Sequence, residues 1–169
     1  DGKSASVYDM TGLSQKNGAV FSHLRIAENA TSISTQRVGR GEADLLLAFD
    51  LLAAVQPEAF GSLEPSRTAL VGNAVVAPTA FFQIEPGDAS RPPKGVANAK
   101  LSGAARADSC FFIEGTRLAE EWCGDTVAVN LMMLGYAAQR GLLPVSMDAL
   151  MQAVTLNGVA INFNRRAFN

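Results

Sequence analysis

The sequence has few of the residues that carry self-contained chemistry. It holds two cysteines, Cys110 and Cys123, thirteen positions apart and with no Cys or His nearby at metal-ligand spacing. A conventional iron–sulfur cluster takes four thiolates, so this chain cannot hold one alone. Both cysteines sit in or beside apolar runs and read as buried thiols rather than ligands or a disulfide. There is one histidine, His23, so any histidine-dependent proton transfer must pass through it. No Ser, Cys or Asp close in sequence completes a triad with it, and a structural or contact role is the simpler expectation. Fourteen basic and sixteen acidic residues give a net charge of −2 without a basic cluster that could track a phosphate backbone, which argues against nucleic acid as a partner. No apolar run is long enough to span a bilayer, and nothing resembles a signal peptide. Paired carboxylates at a telling spacing, a nucleophile elbow, an internal repeat and a complete glycine fingerprint are also missing. The pair Gly39-Arg40-Gly41 lacks a third glycine and a clear preceding strand, so it is a weak phosphate loop and reads rather as a simple turn.

What is present is an ordinary globular composition, 48% hydrophobic and 18% charged over 169 residues. That length suits one domain with a substantial core, residues 1–169. Ser4 to Met10 suits a short strand, followed at once by a polar loop with Gly12 and Gly18. Ala19 to Ala27 alternates, with Val20, Ser22, Leu24 and Ile26 on one face and Phe21, His23 and Arg25 on the other, which predicts a second strand. Glu28 to Gln36 is polar and reads as a loop or edge strand. Ala43 to Phe49 is continuously apolar, as in a strand buried on both faces, and Asp50 is placed to cap a helix beginning at Leu51.

Arg67 to Val76 predicts a further strand, with Asn73 and Thr79 near its carboxyl end as polar residues that could face a cleft. Glu85 to Lys100, rich in Pro and Gly, reads as a long loop. Ala107 to Ile113 is another strand candidate. Thr116 could cap a helix that closes at Gly124, and Asp125 and Thr126 begin the next. In that helix Val127, Leu131, Leu134 and Ala138 recur at helical spacing, while Val129, Met132, Met133 and Tyr136 make the rest of the circumference apolar. A helix apolar on nearly all sides must be covered on nearly all sides, which suggests a partner chain or domain. Ser146 caps a last clear helix that stops at Asn157-Gly158. Val159 to Asn169 fits either strand or helix. Strands interleaved with helices predict an α/β layered domain with a mostly parallel sheet flanked by helices.

Three stretches carry a resemblance. Tyr8-Asp9-Met10-Thr11-Gly12-Leu13-Ser14-Gln15-Lys16-Asn17-Gly18-Ala19-Val20, with Ser22-His23-Leu24-Arg25 after it, resembles the γ domain of 2-oxoacid:ferredoxin oxidoreductases, most narrowly the indolepyruvate ferredoxin oxidoreductases. The runs from Ala43 to Ala54 and from Asn130 to Tyr136, continuing to Leu156–Ala160, match the same family. The resemblance implies a Rossmann-like γ domain and favours helix for the last segment. It further implies membership of a cytoplasmic enzyme that oxidatively decarboxylates a 2-oxoacid such as indolepyruvate to its acyl-CoA. In such an enzyme thiamine diphosphate and iron–sulfur clusters sit on other domains or subunits, and electrons leave to ferredoxin. No motif of this sequence matches a thiamine or cluster ligand, and no catalytic or metal-binding residue is assigned.

By position in the matching loop, Thr11, Gly12, Ser14, Gln15, Lys16, Asn17 and Gly18 are candidates for the coenzyme A side of the site, with Asn73 beside them. Lys16 could offset phosphate charge, the hydroxyls and amides supply hydrogen bonds, and glycine permits close approach. Family members begin with a strand and a glycine-rich turn that this sequence does not show ahead of Tyr8. Beginning on Asp1, it reads as an excised piece whose sheet would have an exposed edge, or be completed by another copy that also covers the apolar helix around Met132. Two other readings compete: a nucleotide-binding module in which Asp9 holds a ribose, and a purely structural interaction domain.

Overall fold

The computed structural model describes residues 1–11, 19–74 and 95–169. Two sheets form. The first is an antiparallel hairpin of β1 (Ser4–Thr11) and β2 (Val20–Ala27), in a register that sets Val7 opposite Leu24, Tyr8 opposite His23 and Met10 opposite Phe21. The second is parallel, with β3 (Leu45–Ala48), β4 (Ala69–Asn73) and β5 (Cys110–Ile113) side by side in chain order. Among the described residues the hairpin does not join the parallel sheet. Gly12–Gly18 therefore connects two antiparallel strands and not a strand to a helix.

The uninterrupted apolarity of β3, β4 and β5 resolves into two faces once the register is fixed, because successive side chains point to opposite sides. Leu46, Leu70, Cys110 and Phe112 share one face with Leu51 and Ala54 of α1 (Leu51–Ala54) and Ala97 and Leu101 of α3 (Val96–Ala104). Leu45, Leu47, Val71, Phe111 and Ile113 turn the other way, against Val129, Met133, Tyr136 and Ala137 of α5 (Val129–Gln139). Central strand β4 is buried along its whole length. The predicted helix–sheet–helix layering is thus present, and β3 and β5 are the sheet's edges among the described residues.

Local signals work as expected at several ends. Asp50 Oδ1 accepts from the Leu52 amide at 2.8 Å, which satisfies an orphan donor of α1. A short α2 (Pro57–Phe60) follows, with proline in its first turn. Gly124 and Gly158 adopt left-handed conformations and close α4 (Gly115–Cys123) and α6 (Met147–Asn157). Ser146 Oγ caps α6 by accepting from Ala149 N at 3.2 Å.

Four expectations need correction. Val96–Lys100 is helical, not loop: Ala97 and Leu101, one turn apart, both face the core and hold α3 on the sheet. Residues 75–94, with the rest of that predicted loop and Thr79, lie outside the described residues. Thr116 does not cap α4; it sits in the first turn, after Glu114 at the cap position. Val127 belongs to a 3-10 turn before α5 and is 71% exposed, so it is no part of the core. Most consequentially, the second apolar side of α5 is covered from within the chain. Leu131 and Met132 pack with Ala119 of α4 and with Phe163 and Ala167 of α7 (Ile161–Phe168), so the all-round apolarity of α5 does not call for a second copy.

Thr68 joins three segments ahead of β4. It is fully buried, donates from Oγ1 to Ala43 O at 2.7 Å, and accepts from Glu64 N at 2.9 Å, while its carbonyl accepts from Arg106 N at 2.8 Å. Replacing Thr68 by Val keeps the shape and strands a buried carbonyl and amide. We expect a loss of about 2 kcal/mol, read as a lower urea midpoint with unchanged slope.

Candidate functional site

Of the residues singled out for the coenzyme A side, the structure describes Thr11 and Asn73. Gly12, Ser14, Gln15, Lys16, Asn17 and Gly18 lie outside the described residues. Thr11 ends β1 opposite Val20 and is exposed, on the hairpin. Asn73 ends β4 in the parallel sheet, is 4% exposed, and has its carboxamide engaged by the protein: Nδ2 donates to Thr116 Oγ1 at 2.8 Å and to Phe49 O at 3.3 Å, and Oδ1 accepts from Thr116 N at 3.4 Å. The two residues stand on different sheets. Asn73 ties the β3–α1 junction to the start of α4, at the carboxyl edge where ligands of open α/β sheets gather.

Asp9 accepts from Ser22 Oγ at 2.6 Å across the hairpin. A ribose-binding carboxylate of a dinucleotide fold ends the second strand of a parallel βαβ unit. Asp9 is in an antiparallel pair, so the setting that the nucleotide-binding alternative needs is missing at this residue.

His23 is 8% exposed and serves as a fastener. Its Nδ1 accepts from Val38 N at 3.2 Å, which leaves the ring proton of the neutral imidazole on Nε2, 3.4 Å from Glu58 Oε1. Nε2 makes no hydrogen bond among the described residues. Glu58 is itself held by Arg37 at 2.6 Å. The ring thus locks β2 onto the 37–38 loop and α2, in the contact role expected of it.

The turn Gly39-Arg40-Gly41 is held by Glu42, whose Oε2 accepts from Gly39 N at 2.9 Å and pairs with Arg25. The Gly39 amide and then the Arg25 guanidinium hold the Glu42 carboxyl below its ordinary value of 4.5. A carboxylate with a lowered folded pKa contributes stability that is present above the unfolded value and lost as pH falls through the folded one. Glu42→Gln should therefore show a shallower loss of stability below pH 4.5, the difference from the parent chain closing as acid is added; thermal melts from pH 7 to pH 3 measure it.

Sequence reasoning missed Arg37, Arg40, Phe60 and Lys100, which line one groove of about 680 Å³ beside α2. The local signs were the two arginines flanking Val38-Gly39 and the weak phosphate-loop pair Gly39-Arg40-Gly41, while Lys100 arrives from a distant helix.

The cysteines fit no cluster. Cys110 is half-buried in β5, and burial pushes its thiol pKa up, away from the thiolate a metal requires. Cys123 ends α4. Among the described residues no three His, Cys, Asp or Glu side chains are grouped to hold a metal, and no helix is long and apolar enough to cross a membrane.

Residues 1–169 match the sequence model of the family described as pyruvate ferredoxin/flavodoxin oxidoreductase. The chain belongs to that family. A curated relative, indolepyruvate oxidoreductase subunit IorB of Methanothermobacter thermautotrophicus, is 28% identical over 162 residues, which are 95% of this chain and 76% of the relative. Two solved structures share the fold. The gamma subunit of a keto/oxoacid ferredoxin oxidoreductase from Geobacter sulfurreducens superposes with a TM-score of 0.60 at 19% identity, over 99% of this chain and 77% of that one. Pyruvate oxidoreductase subunit PORC of Thermotoga maritima gives 0.55 at 15% identity, over 99% and 78%. This pyruvate ferredoxin/flavodoxin oxidoreductase chain is thus an oxidoreductase component with the mixed α/β fold of the gamma subunits. Electron transfer to ferredoxin implies iron–sulfur chemistry in the family, which the cysteines described above do not fit.

Proposed function

We propose that the chain is one domain of a 2-oxoacid:ferredoxin oxidoreductase acting on an aryl pyruvate such as indolepyruvate. The reaction releases carbon dioxide, passes the acyl group to coenzyme A and sends two electrons to an iron–sulfur acceptor and on to ferredoxin. The family match along all of residues 1–169 carries this reading. Thiamine diphosphate, bound by neighbouring domains, supplies the carbanion chemistry of decarboxylation; no residue of the present chain is assigned to it. The enzyme is assigned to the cytoplasm.

The chain's own part is to finish the coenzyme A or substrate side. The supporting observation is the hairpin: β1 and β2 form a sheet apart from the core and hold the segment Gly12–Gly18 between paired ends at Thr11 and Val20. Lys16 meets phosphate charge, while Ser14, Gln15 and Asn17 supply hydrogen bonds and Gly12 and Gly18 allow close approach. Asn73, on the parallel sheet, fixes Phe49 and Thr116 at the carboxyl edge. The hairpin's outer face exposes Val7, Val20 and Leu24 by 58, 63 and 53%, and is the surface offered to other subunits or a second copy. Light scattering of the purified chain should report an oligomer; a monomer at high concentration removes self-association.

The deciding experiment replaces Gln15 and Lys16 by Ala in the complete enzyme. A charge-assisted contact to phosphate is worth about 1.5–3 kcal/mol, so the KM for coenzyme A should rise roughly tenfold or more with kcat for the 2-oxoacid less affected. Unchanged turnover and unchanged coenzyme A dependence would leave only a scaffolding role.

A further inference from the structure

The groove beside α2 differs in charge from the rest of the chain. The sequence as a whole is at −2, yet Arg37, Arg40 and Lys100 line this groove with Glu58 as the one carboxylate. Glu58 is committed to Arg37 at 2.6 Å. Lys100 Nζ stands 4.6 Å over the Phe60 ring, a contact that holds the ammonium in place, and among the described residues no carboxylate pairs with it. Arg40 has no ion-pair or hydrogen-bond partner among the described residues, and it sits on a turn that Glu42 fixes from behind. Two cations from unrelated segments, the 37–41 turn and α3, therefore meet one concave surface, and among the described residues no anion neutralises them.

The walls set the rest of the chemistry. Val55, Pro57 and Phe60 give the groove an apolar side, and its volume of about 680 Å³ lies within the range that encloses a small organic ligand and far exceeds a lone inorganic anion. An anion held between a guanidinium and an ammonium must present oxygens in several directions, which a phosphate does and a single carboxylate does less well.

We propose that this groove binds an organic phosphoanion, with its phosphate between Arg40 and Lys100 and its apolar part against Val55 and Phe60. The proposal is independent of the role assigned to Gly12–Gly18 and stands or falls separately.

Calorimetric titration of the full-length protein in its complex tests it, with ADP, inorganic pyrophosphate and citrate as probes. Expected is saturable ADP binding with Kd below about 1 mM, weakened by added salt, stronger than pyrophosphate because of the apolar contact, and much stronger than citrate. Arg40→Gln with Lys100→Gln should weaken ADP about tenfold or more at unchanged melting temperature, since both side chains are exposed. Lys16→Ala should leave that binding unchanged. Absence of ADP binding at several times that concentration, equal binding of citrate, indifference to the Arg40/Lys100 double variant, or loss on Lys16→Ala alone would each overturn the assignment. If the Gln15/Lys16 variant leaves coenzyme A dependence untouched while ADP still binds here, the loop reading fails and this one survives.

Discussion

Replacing Gly135 with alanine is expected to cost about 3 kcal/mol and lower the melting temperature by roughly 6–12 °C. Gly135 lies on α5 where α7 crosses it. A Cβ built there would run into the Phe168 carbonyl oxygen, with the carbonyl carbon at 2.9 Å and Cα at 3.2 Å. These are backbone atoms, and no rotamer change moves them aside. Relief requires α7 to lift, which withdraws Phe168 and Ala167, 1% and 3% exposed, from the apolar contacts they fill. Amide hydrogen exchange should show α7 losing protection first. Gly103→Ala is the matched control. Gly103 is also helical, in α3, but nothing stands within 4 Å of its added Cβ. There alanine should stabilise by up to about 1 kcal/mol through helix propensity. If both substitutions behave alike, the close crossing of α5 and α7 is wrong.

That crossing also shows what the sequence could not say about its own packing. All-round apolarity in α5 reported correctly that every side is covered, but not by what. The cover is α7, a segment whose residues fit strand and helix spacing equally, so periodicity alone could not nominate it. The parallel sheet was legible as three apolar runs, yet the assignment of Leu45 and Leu47 to one face and Leu46 to the other needed the register, because all three are leucine. Alternation in β2 was also legible, but not its polarity. Phe21 and Arg25 are half-buried and His23 buried on one face, while Val20 and Leu24 face out. A strand outside the main sheet need not turn its more apolar side to the core of its own chain.

The site was legible in a different way. Its candidate loop came from a resemblance of sequence, whereas the groove came from the fold. Arg40 and Lys100 are sixty positions apart and share no periodic pattern. Long-range electrostatic pairs such as Arg37–Glu58 and Arg25–Glu42 have the same character: each partner is an ordinary surface charge until the chain is folded.

Asn73→Leu is expected to destabilise by about 3 kcal/mol and, in the assembled enzyme, to disturb the site edge as well. The side chains are close in size, so little volume changes. What changes is the hydrogen bonding at a position only 4% exposed. Phe49 O loses the Nδ2 donor, Thr116 Oγ1 loses a partner at 2.8 Å, and Thr116 N loses Oδ1. Only the Asn73 side is fully buried and the partners on Phe49 and Thr116 are part-buried, so each lost bond costs about 1 kcal/mol and the three together about 3 kcal/mol. Because the bonds join the β3–α1 turn to the first turn of α4, their loss frees both ends of the sheet's carboxyl edge together. Asn73→Asp separates the stability effect from a direct ligand role. The carboxylate can still accept from Thr116 N but cannot donate to Phe49 O. If Asn73 only positions the edge, Asp should retain an intermediate stability and a near-normal KM for coenzyme A at temperatures well below the melt. A KM raised tenfold or more in Asp at full foldedness would put position 73 close enough to coenzyme A for an added negative charge to be felt.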